Sequence, residues 1–387
     1  MPDPILTMIP GPTPVDERIL AALARPTVSH LAPAFVESFG ACLANLREIA
    51  ISEIAQPFVV AGSGTLAMEM ALVNLVASDE ALLVVSQGYF GDRWGELADA
   101  FGIRCDRLQA EWGQTISPQQ LQQRLDAGSY AAVAMTHVDT STGAAAPVAD
   151  YCEMLRDRSQ MALLDGVCAT AGMEERFDDW GLDALITGAQ KAFGTPPGLA
   201  ILLASPRALA KRESRATVPA YSADLMRWLP VMRDPTRYFS TPPVNELLAL
   251  HRSTQMVLEE GIAPRFERHA RIAAAVRGGL EVLGLELFTD ADCRADTLSV
   301  VRYPDGVDDA AFRTSMAGRG VIVAAALGSI AGEAFRIGHM GNIGVDEVCR
   351  TLDAIEASLV DQGLERPAGR AAKAAREIMS RGDRSQI

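Results

Sequence analysis

From Phe58 to Ala204 short apolar runs alternate with helical patterns, and no other feature of the chain restricts its fold as strongly. The runs are Phe58–Val60, Ala81–Val85, Ala131–Met135, Met161–Leu164, Ala184–Ile186 and Leu199–Leu203. Between them, Leu66–Leu75 and Val148–Leu155 carry apolar residues at helical spacing. Pro118–Leu125 follows Ser117, so a capping hydroxyl precedes the residue favoured at the first helical position. Alternation of this kind predicts an α/β domain whose mostly parallel sheet is covered on both faces. Ligands of such sheets sit at the carboxyl ends of the strands, where this chain places its unusual loops.

A different texture follows Thr241. Two long helical patterns, Val244–Glu260 and Pro264–Leu283, lead into strand candidates Thr297–Arg302, Val321–Ala324 and Ala334–Ile337 and a last helix, Val345–Val360. A length of 387 residues, at roughly 150 per domain, gives two or three domains. The expected division is an N-terminal segment 1–20, a large α/β domain 21–263, a smaller α+β domain 264–363 and a tail 364–387. The tail, with Arg370, Lys373, Arg376 and Arg381, reads as a solvated helix or a frayed end.

A net charge of −14 has the wrong sign for a nucleic-acid or anionic-membrane partner. The longest apolar stretch, Val321 to Ala331, falls well short of the roughly 20 residues that span a bilayer. The opening MPDPILTMIPGP has neither the basic start nor the apolar core of a secretion signal. Six scattered cysteines with no C-x-x-C pair suggest neither a zinc site nor a disulfide framework, and a cytoplasmic location is expected.

Of 35 basic residues only Lys191, Lys211 and Lys373 are lysine. Arginine cannot lose its proton to become a nucleophilic amine, so a lysine in a structured loop invites a chemical explanation. Lys191 lies in Thr187-Gly-Ala-Gln-Lys-Ala-Phe-Gly-Thr-Pro-Pro-Gly198, directly after an apolar run. Asp165 ends the run MALLD, where a carboxylate points at the ligand crevice. Gly62-Ser-Gly-Thr-Leu-Ala67 follows FVV and opens a helix. It satisfies the dinucleotide fingerprint as a string, but the next strand ends in Ser86-Gln87-Gly88 without the acidic ribose ligand. What remains is a helix N-terminus with hydroxyls at Ser63 and Thr65, suited to one phosphate. A phosphate loop, a strand-end aspartate and a loop lysine form the layout that pyridoxal phosphate requires. The lysine joins the cofactor aldehyde as a Schiff base, and the carboxylate keeps the pyridine nitrogen protonated.

The strings GSGTLAMEMAL, STG, LLDGV, GAQKAFGTPPGLA and FRIGHMG, in this order and spacing, resemble the class V aminotransferases of fold type I. The nearest branch is that of the alanine/serine–glyoxylate enzymes, and the resemblance runs from Ile9 to about Val360. It implies a pyridoxal-phosphate enzyme moving an amino group between a small amino acid, alanine, serine or similar, and a small 2-oxo acid, glyoxylate foremost. Ureidoglycine, aspartate, an aminophosphonate or pyridoxamine are alternative donors, and a homodimer with shared sites is implied. It implies Lys191 as the Schiff-base lysine and Asp165 as partner of the ring nitrogen. Ser63, Gly64, Thr65 and Gln190 match positions that hold the phosphate. Phe90 matches the stacking aromatic, where many relatives have tryptophan or tyrosine. Thr140 matches a hydroxyl beside the ring, and Val167 the apolar residue on its other face. Tyr238 and Thr241 match residues that reach the neighbouring subunit's phosphate. Arg336 matches the arginine that grips the substrate carboxylate, a task suited to a bidentate fork. Ala189 stands where close relatives often have serine.

His30 lies where the family's N-terminal segment approaches the site. His137 and His339 read as satisfied polar residues, Met68 and Met70 as core, and Lys211 and Lys373 as surface lysines. Rival readings are lyase or desulfurase chemistry with the same cofactor, a non-catalytic scaffold, and a nicotinamide oxidoreductase. Desulfurase chemistry needs a cysteine on a mobile loop near the substrate, and Cys293 and Cys349 lie in the smaller domain in no loop identifiable as such from the sequence.

Overall fold

The computed structural model describes residues 5–364 and 369–383. Residues 1–4 of the expected N-terminal segment, and 365–368 and 384–387 of the expected tail, lie outside the described residues. A short strand β1 (Leu6–Thr7) opens the chain. Seven strands then build the main sheet: β2 (Gln56–Ala61), β3 (Ala81–Ser86), β4 (Arg104–Gln109), β5 (Ala132–Thr136), β6 (Met161–Asp165), β7 (Ala184–Gly188) and β8 (Leu199–Ala204). Their order is β2-β8-β7-β6-β5-β3-β4. All pairings are parallel except those of β8, which runs antiparallel to both β7 and β2.

The interior strands β5, β6 and β7 are buried along their whole length, so they appear as unbroken apolar runs. Strand β4, RCDRLQ, is absent from the sequence expectation. It lies at the sheet edge with three exposed and three half-buried residues, so no apolar run marks it.

Helices cover the sheet. Pro33–Ile49 buries Phe35, Phe39, Cys42, Leu43, Leu46 and Ile49, a single stripe at helical spacing. Helix Pro118–Ala127 begins as expected, with the Ser117 hydroxyl and the Gln120 side chain capping each other's backbone N–H groups.

Beyond Gly261 the chain forms strands β9 (Leu298–Arg302), β10 (Val321–Ile322), β11 (Ala324–Ala325) and β12 (Ala334–Gly338). β12 lies between β11 and β9, antiparallel to both, while β10 pairs parallel with β1. The long apolar stretch from Val321 is thus two short strands and a turn at Gly328–Ile330. Among the described residues no helix is long and apolar enough to cross a membrane. A second, smaller core gathers Val301, Phe312, Met316, Phe335, Ile337 and Leu352, and includes Leu6 and Met8 from the start of the chain. The tail departs from the sequence expectation. Helix Arg370–Asp383 buries Ala371 and Ala375 in this core instead of standing free.

Candidate active site

Three parallel strands end at one edge, and that edge assembles the site. Thr136 of β5 stands opposite Asp165 of β6, and Asp165 opposite Ile186 of β7. The chain leaves β5 into the Thr140 loop, stops β6 at Asp165 and leaves β7 into the Lys191 loop. β2 and β7 point the same way because both oppose β8, so Ser63-Gly64-Thr65 emerges at this edge too. The Gly62 N–H donates to the Gly198 carbonyl at 2.8 Å.

Asp165 is buried, and its Oδ1 accepts the Val167 N–H at 2.9 Å. It has no ion-pair partner among the described residues. Burial pushes its carboxyl up to about 7; the Val167 N–H opposes the rise, the charges of Asp139 and Glu175 add to it, and the Lys191 ammonium opposes it. Lys191 is itself buried, and its Nζ donates to the Pro10 carbonyl.

Helix Gly64–Leu75 opens without a side-chain cap, although Ser63 stands at its N-cap position. Its first N–H groups have no partner within the helix and are available to an anion. Val167 binds the two walls together, because a Cβ on Gly64 would lie 2.8 Å from Val167 Cγ2. The Gln190 amide has a buried oxygen with no partner among the described residues. An amide can exchange its oxygen and NH₂ by a flip, so it has donors to offer.

Asp139 joins Phe90 to the Thr140 loop. Its Oδ2 accepts the Phe90 and Gly91 N–H groups at 2.9 and 2.8 Å. Its Oδ1 accepts the Ser141 N–H and hydroxyl at 2.9 and 2.6 Å. Sequence reasoning missed Asp139, because its partners on the Phe90 helix lie 48 and 49 residues away. Arg336 arrives from β12. Its Nε donates to the Ala325 carbonyl at 2.8 Å and its Nη1 to the Thr140 carbonyl at 3.0 Å. Nη2 has no hydrogen-bond partner among the described residues, so one arm of the fork remains available.

Tyr238 and Thr241 are not brought to this cluster within the chain. Tyr238 is 62% exposed, its hydroxyl pairs with that of Thr241 at 3.3 Å, and its ring packs on His30 with centroids 5.5 Å apart. His137 is satisfied as expected, its Nδ1 pairing at 2.8 Å with Glu175, whose other oxygen accepts the Thr170 hydroxyl at 2.6 Å. His339 pairs with Ser299 at 3.0 Å, but its Nδ1 is buried without a partner. Cys293 turns its thiol to the Gly113 carbonyl at 3.4 Å, and Cys349 lies buried beneath the tail helix.

A family model described as aminotransferase class-V matches residues 18–351. The chain belongs to the class-V aminotransferases. An uncharacterized aminotransferase of Methanocaldococcus jannaschii is 34% identical over 362 residues, covering 93% of this chain and 94% of the relative. Alanine–glyoxylate aminotransferase 1 of Saccharomyces cerevisiae is 33% identical over 355 residues, covering 86% and 91%. The crystal structure of ureidoglycine–glyoxylate aminotransferase from Bacillus subtilis superposes with a TM-score of 0.93 at 29% identity, covering 97% of this chain and 98% of that one. The fold expected for a class-V aminotransferase is therefore the fold observed. The sheet edge that gathers Asp165 and Lys191 is the feature of this class-V aminotransferase from which a reaction has to be derived.

Proposed function

We propose that the protein is a pyridoxal-phosphate aminotransferase exchanging the amino group of a small amino acid, alanine or serine foremost, with a small 2-oxo acid, glyoxylate foremost. One observation carries this reading: a buried carboxylate that ends β6 and a buried lysine in the loop after the neighbouring β7, neither with an ion-pair partner among the described residues. The glyoxylate acceptor is supported by the relatives from yeast and Bacillus subtilis, whose names carry it.

The residues present fit the cofactor. Asp165 has no ion-pair partner among the described residues and burial pushes its carboxyl up to about 7, so a protonated ring nitrogen beside it would suit it. The uncapped turn at Ser63, Gly64 and Thr65, with the Gln190 amide, offers donors to a phosphate. Val167, Phe90 and Thr140 supply apolar and hydroxyl surroundings for the ring. When bound, pyridoxal phosphate supplies the aldehyde that takes the amino group and the ring that accepts the electrons of the broken C–H bond.

This chain's own residues do the rest. Lys191 holds the cofactor through Nζ and, once released by the incoming amine, moves the α-proton as a general base and acid. Asp165 would hold a proton on the ring nitrogen, because a buried carboxylate is costly unless a cation stands beside it. Arg336 offers its free arm to the substrate carboxylate and so orients the α C–H bond. We read the working unit as a cytoplasmic homodimer, with Tyr238 and Thr241 completing the partner's phosphate site from an exposed position.

The visible spectrum of purified protein tests this reading. The wild type is expected to show a cofactor band that alanine or serine bleaches and glyoxylate restores, and Lys191→Ala to lose that response. A protein that shows no band after incubation with pyridoxal phosphate would overturn it.

A further inference from the structure

Lys191 stands in an interior that offers its amine one acceptor. No carboxylate lies within 4.0 Å of Nζ among the described residues, and its hydrogen bond goes to the Pro10 carbonyl. A buried ammonium without an acceptor is costly, so the position of this carbonyl matters whenever the amine is free. Gly11 makes the approach possible. A Cβ there would stand 2.6 to 2.8 Å from Lys191 Cδ, Cε and Nζ, and its φ of +126° also favours glycine.

The segment carrying Pro10 is fastened at both ends. On one side Leu6 and Thr7 pair with Val321 and Ile322 of β10, and the Met8 N–H donates to the Ile322 carbonyl at 2.8 Å. The Gly338 N–H donates to the Met8 carbonyl at 2.8 Å. A Cβ on Gly338 would collide with the Ile9 carbonyl and lie 2.7 Å from Pro10 Cα. On the other side the Thr13 N–H donates to the Gln190 carbonyl at 3.1 Å, and its hydroxyl to the Lys191 carbonyl at 2.8 Å. Gly338 is two residues beyond Arg336 on β12, so the strand that carries the carboxylate-binding arginine also fixes this strap.

We propose that residues 6–13 form a strap whose Pro10 carbonyl accepts a hydrogen bond from the Lys191 amine once the substrate amine displaces the lysine, and that β12 sets the position of this acceptor. The proposal rests on the transamination reading. Lys191 leaves as a neutral amine, takes the α-proton to become an ammonium and then returns that proton. In both states an N–H can donate to the Pro10 carbonyl, which keeps Nζ from wandering between the two transfers. Pro10 acts here through its backbone and Gly338 through the strap, so both are positioning residues.

The test compares two ligands of the loaded enzyme by its visible spectrum. 2-Methylalanine has both carboxylate and amine and no α-proton, so it displaces the lysine without going further. Propionate offers the carboxylate alone. Gly338→Ala pushes the strap from the smaller core, and Leu6→Ala loosens it more gently should the first variant not fold. Each is expected to weaken 2-methylalanine by up to about tenfold, the upper end for one net hydrogen bond, and to leave propionate within twofold. Equal weakening of both ligands would assign the strap a merely structural role and overturn the proposal, as would no weakening of either. A wild type without a cofactor band would instead overturn the transamination reading beneath it.

Discussion

Gly64 and Val167 touch so closely that a methyl group on the glycine would lie 2.8 Å from Val167 Cγ2. One residue opens the uncapped helix turn and the other follows Asp165, so their contact sets the distance between the donors at the turn and the buried carboxylate. Gly64→Ala is expected to weaken retention of pyridoxal phosphate by about ten- to a hundredfold, the range of a modest overpacking strain. The double variant Gly64→Ala/Val167→Ala should recover most of the loss, because the second change removes the colliding methyl. Equilibrium dialysis of single and double variants measures this, and an absence of recovery would place the defect elsewhere.

Asp165 predicts an inverse relation between stability and function. In the protein freed of cofactor its carboxyl is pushed up to about 7, against 3.8 ordinarily. Between those values the folded state holds a proton that the unfolded state has released. Stability is therefore full below the ordinary value, falls as pH rises through the window and stays low above about 7. Asp165→Asn removes this dependence. The cofactor-free variant should melt above the cofactor-free wild type at pH 8, by a few degrees for a difference of up to ~4 kcal/mol, and the gap should narrow toward pH 5. Its activity should nonetheless fall at least about a hundredfold.

Arg336 donates to two backbone carbonyls that hold its guanidinium, and Nη2 has no hydrogen-bond partner among the described residues. Arg336→Lys keeps the charge but cannot reproduce the fork. The KM for the amino acid should rise roughly a hundredfold, the equivalent of one or two charged hydrogen bonds, with cofactor affinity unchanged. Steady-state kinetics beside a cofactor titration separate the two effects.

Glu175 is buried between His137 and Thr170, accepting from both sides. Both partners lose their acceptor in Glu175→Ala, which should cost about 2–5 kcal/mol. Glu175→Gln retains an oxygen for one of them and should cost less. Urea unfolding of the two variants at neutral pH distinguishes their order.

Much of the site was legible because its residues stand at strand ends and turns, where short stretches of sequence have local meaning. MALLD followed by Gly166, and ALI followed by the Lys191 loop, mark buried strands that stop at polar groups. Asp139 was not legible, because an aspartate in a loop reveals nothing of the amide groups it will meet half a hundred residues upstream. Nor was Glu175, which became significant only where the fold set its carboxylate between the His137 ring and the Thr170 hydroxyl. The edge strand β4 escaped for a related reason, since it lacks the two-sided burial that makes interior strands apolar.

The sequence by itself determined the period of each element, the lysine in its rigid loop and the order of the chemistry-bearing residues along the chain. Those depend on contacts among near neighbours, which spacings of two, three and four residues record. Tertiary structure alone decided that Arg336 reaches the Thr140 carbonyl across 196 residues, and that Pro10 faces Lys191 across 181. Such encounters follow from how β12 and the N-terminal strap pack against the main sheet. Side-chain volumes and backbone hydrogen bonds throughout both cores decide that packing together, so no local pattern carries it.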